Sequence, residues 1–188
     1  MKRLLLLCFP ILAATQLLAQ DQAAAQQAWM DYMTPGKIHQ MLAHSDGTWN
    51  YELTLWMSPD APPAKSTGTS ENKMILGGRY QESVHKGNFG GMEFEGHGLL
   101  AYDNAKKIFQ NSWVDNMGTG IMFMEGPWND ASHSLTLTGK TYDPMQGKDI
   151  EVKEVITILD NDHHKMEMFY VKDGKDIKSM EMLLTRAK

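Results

Sequence analysis

Apolar and polar residues alternate along most of the chain after residue 46, which is the pattern of half-buried β-strands. The clearest example runs from Trp49 to Met57, where every second residue is apolar. Turn-forming Gly, Pro, Asn and Asp residues separate this segment from similar segments downstream. The nine further predicted strands are Ser66–Ile75, Arg79–Lys86, Glu93–Tyr102, Ile108–Asn116, Gly120–Trp128, Leu135–Asp143, Asp149–Leu159, Lys165–Val171 and Asp176–Arg186.

The short connections predict that each strand pairs with the next one in antiparallel fashion, because parallel neighbours need a long crossover. An open sheet of ten strands would expose two edges, so closure into an up-and-down β-barrel is the favoured architecture. The fold class is therefore all-β, and a β-sandwich is the alternative.

The residues ahead of the strands have a helical pattern. Trp29, Met30 and Met33 have the spacing of one helical face within an Ala- and Gln-rich segment that begins at Asp21. Pro35 and Gly36 end this helix, and a short second helix is expected from Lys37 to His44. We therefore predict three parts, which are a leader of residues 1–20, a helical segment of residues 21–45 and a barrel domain of residues 46–188.

The leader has the composition of a secretory signal peptide. Lys2 and Arg3 precede an apolar run from Leu4 to Leu18, and Ala19 and Gln20 form the boundary. The run is shorter than the ~20 residues of a typical membrane-spanning helix, so the mature chain is expected to have no membrane span. The sequence predicts an exported protein, periplasmic or secreted, and an uncleaved anchor is the alternative.

Composition and charge indicate which kinds of partner the protein can bind and whether disulfide bonds stabilise it. The chain has 188 residues, of which 42% are hydrophobic and 22% charged, and this suits one domain with its own core. The net charge of −5 and the lack of a basic stripe argue against nucleic acid as a partner. Cleavage of the leader would remove Cys8, the only cysteine, so no disulfide is expected. The sequence leaves the oligomeric state open.

Two motifs, one in the first predicted strand and one in the last, resemble the calycin signature. Gly47-Thr48-Trp49 opens the first strand, and Arg186 lies near the end of the last. First and last strands are neighbours in an up-and-down barrel, so Arg186 is expected to lie across the Trp49 ring and close that end. The pattern resembles the G-x-W and late Arg that lipocalins and fatty-acid-binding proteins share.

Longer segments resemble the bacterial family known as domain of unknown function 1579. The matching segments are Ser66–Thr69, Glu71–Arg79, Phe94–Gly96, Gly98–Leu100, Tyr102–Asn104, Trp113–Ile121, Asp162–His164 and Met166–Met168. The resemblance covers about Met33 to Lys188 and implies a calycin-like barrel in an often exported protein. It implies no catalytic residues.

Carboxylates on apolar strand faces are the candidate binding residues. Glu154 interrupts an apolar run from Ile150 to Ile158, and Glu82 and Asp115 have comparable positions. A buried carboxylate needs a partner or a polar cavity, so these side chains are expected to line the barrel and orient a ligand. The predicted ligand-binding residues are Tyr80, Glu82, Trp113, Asp115, Glu154 and Met168. Outward-facing positions are the alternative, because a slip of one residue exchanges the two faces of a strand.

Catalytic and metal motifs are missing from the sequence, so no catalytic residue, metal or cofactor is predicted. His163 and His164 are adjacent and point to opposite faces of a strand. His85 and His97 could approach one another across a hairpin. The leading interpretation is an exported lipocalin-like protein that binds a small, largely apolar molecule.

Three alternatives remain open. The first is a lyase, isomerase or hydrolase that pairs an interior carboxylate with His85 or His97. The second is a metal or haem bound by one histidine, since related barrels include haem binders. The third is an envelope interaction protein that uses Trp56 and the Pro-rich loop.

Overall fold

The computed structural model describes residues 9–58 and 62–188. Lys2, Arg3 and Cys8 of the predicted leader and Pro59 of the Pro-rich loop lie outside the described residues. Two helices precede the strands, α1 (Phe9–Met33) and α2 (Lys37–Ala43). The strands are β1 (Gly47–Leu55), β2 (Ala64–Ile75), β3 (Tyr80–Phe89), β4 (Met92–Asp103), β5 (Ile108–Asp115), β6 (Met122–Gly126), β7 (Trp128–Asn129), β8 (Ser134–Asp143), β9 (Lys148–Ile158), β10 (His163–Lys172) and β11 (Lys175–Arg186).

The strands form one closed antiparallel barrel. The order is β6-β5-β4-β3-β2-β1-β11-β10-β9-β8-β7, and an additional pairing of β6 with β8 closes the circle of ten strands. The two-residue strand β7 is an extra strand that pairs with β8. The predicted up-and-down barrel is confirmed, and the alternative of two stacked sheets is wrong.

The ten predicted strands correspond to strands of the barrel, with shifts at their ends. One predicted strand, Gly120–Trp128, is divided into β6 and β7. Pro127 lies at the division and has no N–H to donate to a neighbouring strand. Its carbonyl still accepts a hydrogen bond from the Thr136 amide at 3.2 Å, so the chain stays next to β8 across the break.

Helix α1 is longer than the sequence predicts, because its described part, Phe9–Met33, already includes residues of the predicted leader. Among the described residues, those up to Thr34 and those from Pro35 to Lys188 form separate compact units, so α2 belongs with the barrel. No helix among the described residues has the length and apolar character needed to cross a membrane.

The Trp49 side chain closes one end of the barrel and is fully buried. Arg186 is its register partner on β11, and the guanidinium carbon lies 4.3 Å from the centre of the Trp49 ring. The guanidinium also donates to the carbonyls of Asp46 at 2.8 Å and His44 at 2.7 Å. The predicted contact is confirmed, and it ties the end of the chain to the segment between α2 and β1.

Helix α2 covers the same end of the barrel, which we call the closed end. Leu42 packs with Phe109, Leu135 and Leu137 in the main core cluster. Gln81 donates from its amide to the Leu42 carbonyl at 2.8 Å. The main core cluster therefore fills the barrel near α2.

Candidate ligand-binding cavity

The barrel contains a cavity of about 1890 Å³. It extends from Leu42 of α2 to the end of β3 and the connections β1–β2, β5–β6, β8–β9 and β10–β11 at the opposite end, which we call the open end. The volume exceeds the ~300–1,000 Å³ typical of sites for small ligands. A guest molecule would therefore share this space with water.

Exposed methionines surround the open end. Met57, Met92, Met117 and Met145 lie in or next to four different connections, and 46–85% of each side chain is exposed. Three of them, Met57, Met117 and Met145, also line the cavity. These methionines give the entrance flexible apolar side chains, because methionine is unbranched and adopts many shapes.

Four of the six predicted binding residues line the cavity, and two do not. Trp113, Asp115, Glu154 and Met168 contribute to its wall. Their role in binding stays a prediction.

The expectation that Tyr80 and Glu82 line the cavity is wrong. Strand β3 turns Gln81, Ser83 and His85 inward, so Tyr80 and Glu82 belong to the outer face, and Glu82 is exposed. The prediction assumed that the more apolar face of β3 points inward. In this strand the inner face is polar, because it borders a cavity instead of a packed core.

Trp113 is held in one orientation against the wall. Its indole N–H donates to an Asp115 carboxylate oxygen at 2.7 Å, and the other oxygen of Asp115 accepts from the Met117 amide at 2.9 Å. The ring lies over Gly96 of β4, where a Cβ atom would overlap it. Asp115 is therefore a positioning residue for Trp113, and its carboxylate is already hydrogen-bonded.

His85 lies between two aromatic rings inside the barrel. Its ring centre is 5.3 Å from that of Trp113 and 6.1 Å from that of Tyr51. Tyr51 reaches over Gly68 and Gly87 and donates from its hydroxyl to the Lys86 carbonyl at 3.1 Å. Burial lowers the pKa of His85 to about 4, so the imidazole is neutral at pH 7.

One nitrogen of His85 is without a partner. Nε2 is 3.5 Å from the Ser70 hydroxyl, whereas Nδ1 is buried and makes no hydrogen bond. His85 therefore offers one hydrogen-bonding atom to a guest.

Glu154 is the second buried polar group with unused hydrogen-bonding capacity. It lies on β9 between Leu137 of β8 and Met168 of β10, and only 3% of it is exposed. Asn111 of β5 favours the ionised carboxyl group, although burial still raises the pKa of Glu154 to about 7. Its Oε2 atom makes no hydrogen bond.

The other histidines do not assemble a metal or acid–base site. His97 is the register partner of Val84 while His85 faces Gly96, so the two side chains lie on opposite faces of the sheet. His97 is exposed and contacts Glu95 at 2.9 Å. The described residues contain no group of three His, Cys, Asp or Glu side chains that could hold a metal ion.

His163 and His164 also point in opposite directions. His163 contacts Asp160 at 2.8 Å on the surface, whereas His164 is buried with its ring centre 4.3 Å from that of Trp49. Of the two, His164 faces the interior of the barrel. Burial and the nearby Arg186 charge lower its pKa to about 4.

Asn111 is a polar cavity residue that the sequence analysis did not identify. It has the same strand parity as Phe109, Trp113 and Asp115, and that parity could have identified it. In strand β6, Met124 is buried and Glu125 is exposed.

Comparison with known families agrees with this architecture. The family model "Protein of unknown function (DUF1579)" matches residues 34–186. The chain belongs to this family. The match covers α2 and every strand of the barrel, and the barrel is consistent with a calycin-like fold.

A solved structure supports the same fold. The crystal structure of Rv2717c from M. tuberculosis superimposes with a TM-score of 0.58 at 12% identity, and the alignment covers 82% of this chain and 100% of that chain. At this identity the likeness concerns the fold alone. No curated protein matches the sequence.

Proposed function

We propose that this DUF1579 protein is an exported binding protein that holds a small, largely apolar molecule inside its barrel. The observation that carries the proposal is the cavity, whose wall combines many apolar side chains with two buried polar atoms that lack partners. Such a wall is typical of a ligand site, where a few polar groups orient a mostly apolar guest. Support for export comes from the signal-peptide pattern of residues 1–20.

The proposal predicts saturable binding of a neutral apolar dye by the full-length protein. N-phenyl-1-naphthylamine brightens in apolar surroundings, so its fluorescence reports transfer from water into the cavity. We expect a saturable rise. A linear, non-saturating response would contradict the proposal.

A pair of variants on one strand places the dye. Leu53 of β1 lines the cavity, and its neighbour Glu52 is exposed. Leu53→Lys should weaken dye binding about tenfold, since the dye would then lie next to a charged side chain. The protein should still fold, because the long apolar stem of lysine lets its ammonium group reach water. Glu52→Lys should leave binding unchanged. Equal effects of the two substitutions would mean that the dye binds outside the barrel.

A further inference from the structure

The two unpartnered atoms in the wall show what kind of polar group a guest carries. Buried polar groups in proteins nearly always have a hydrogen-bond partner, which is another protein group, a water molecule or a ligand. Glu154 Oε2 and His85 Nδ1 are the buried side-chain atoms without one among the described residues. Both side chains line the cavity, so a guest can reach them.

The charges around Glu154 disfavour an anionic guest. The described cations in the cavity wall are Lys140, Lys148 and Lys172. All three are exposed. Lys148 is the first residue of β9 and Lys172 the last of β10, and both lie at the open end. The one side chain that affects the pKa of Glu154 among the described residues is the neutral Asn111. A carboxylate guest beside Glu154 would bring a second acceptor of the same charge, with no cation between them.

An ammonium guest fits less well than a hydroxyl. Moving an ammonium group from water to this apolar surrounding has a large desolvation cost, which its attraction to one carboxylate barely offsets. A hydroxyl both donates and accepts. The hydroxyl can donate a hydrogen bond to the ionised Glu154 carboxylate and can accept one from the protonated carboxyl group. A hydroxyl therefore fits both protonation states of Glu154.

We propose that the cavity selects apolar molecules that carry an uncharged hydroxyl group, such as long-chain alcohols, and that Glu154 with Asn111 binds that hydroxyl. This inference rests on the proposed function and names the chemical class of its ligand. The apolar part of the guest would lie against neighbouring side chains such as Met168 and Met124.

The test compares three probes that share one alkyl chain, namely dodecanol, dodecanoate and dodecylammonium. Each competes with N-phenyl-1-naphthylamine for the full-length protein at pH 8. We expect dodecanol to bind about tenfold more tightly than dodecanoate and more tightly than dodecylammonium. Equal or tighter binding of either charged probe would overturn the inference.

Substitution of Glu154 links the preference to this side chain. Glu154→Leu should weaken dodecanol binding about fivefold and strengthen dodecanoate binding, because it removes both the acceptor and the charge. Glu82→Leu is the matched control, since Glu82 is exposed on the outer face, and it should change neither value. An unchanged alcohol preference in Glu154→Leu would overturn the inference.

The failures of the two proposals can be told apart. If the dye binds in the cavity and none of the three dodecyl probes displaces it, the hydroxyl inference is wrong and the binding function stands. If neither the dye nor any probe binds, the proposed function is wrong, and the inference falls with it.

Discussion

Glu154 gives the most quantitative prediction, because its burial makes stability depend on pH. Its pKa is raised from 4.5 to about 7 in the folded protein. Between these two values the folded state holds a proton that the unfolded chain has lost, so stability falls as the pH rises. Each pKa unit corresponds to 1.36 kcal/mol, and ionising the buried carboxyl at pH 8 therefore costs the folded state about 3 kcal/mol.

Glu154→Gln keeps the shape of the protonated side chain and cannot ionise. We expect its free energy of unfolding, relative to wild type, to rise by about 2.5 kcal/mol between pH 5 and pH 8. Urea titrations followed by tryptophan fluorescence at several pH values measure this difference. His85 and His164 are present in both proteins, so their titration cancels to a first approximation.

Glu82→Gln serves as the control, because Glu82 is exposed, and its difference from wild type should stay nearly constant with pH. A constant difference for Glu154→Gln as well would refute the reasoning. It would mean that water or a cation reaches the carboxyl group and keeps it ionised at little cost.

Three further predictions concern stability in urea titrations. Arg186→Lys should lower the free energy of unfolding by about 2 kcal/mol, because a single ammonium group cannot bond the carbonyls that the guanidinium group bonds. A loss below about 0.5 kcal/mol would contradict the role of Arg186 in closing the barrel. Gly68→Ala should cost about 2 kcal/mol through overlap with the Tyr51 ring, whereas Gly120→Ala, which meets nothing within 4 Å, should cost much less. The free energy of unfolding of the wild type should fall by about 3 kcal/mol between pH 6.5 and pH 4 through His85, since the unfolded chain binds a proton on this side chain at a higher pH than the folded protein does. His85→Gln should lack this part of the loss. Identical acid profiles of the two proteins would show that His85 is solvated.

The sequence predicted the barrel well, because strand alternation and turn chemistry are local signals. The connection of the two chain ends was also predictable, since neighbouring first and last strands bring Trp49 and Arg186 together. Pro127 marked the one division that the alternation missed.

The inner face of β3 could not be predicted from the same alternation. Hydrophobicity identifies the inward face when that face is packed, but His85 and Ser83 border a cavity and are polar. The contact of Asn111 with Glu154 was equally out of reach, because it joins strands that are not neighbours. Glu154 was found from the sequence since it interrupts a long apolar run in β9.

The central claim is that the interior of the barrel holds an apolar guest. Native mass spectrometry of the protein in the form purified from its own host tests it most directly. We expect a species heavier than the bare chain by one small organic molecule, which dodecanol displaces. The bare mass alone, unchanged after incubation with excess N-phenyl-1-naphthylamine and with dodecanol, would contradict the account.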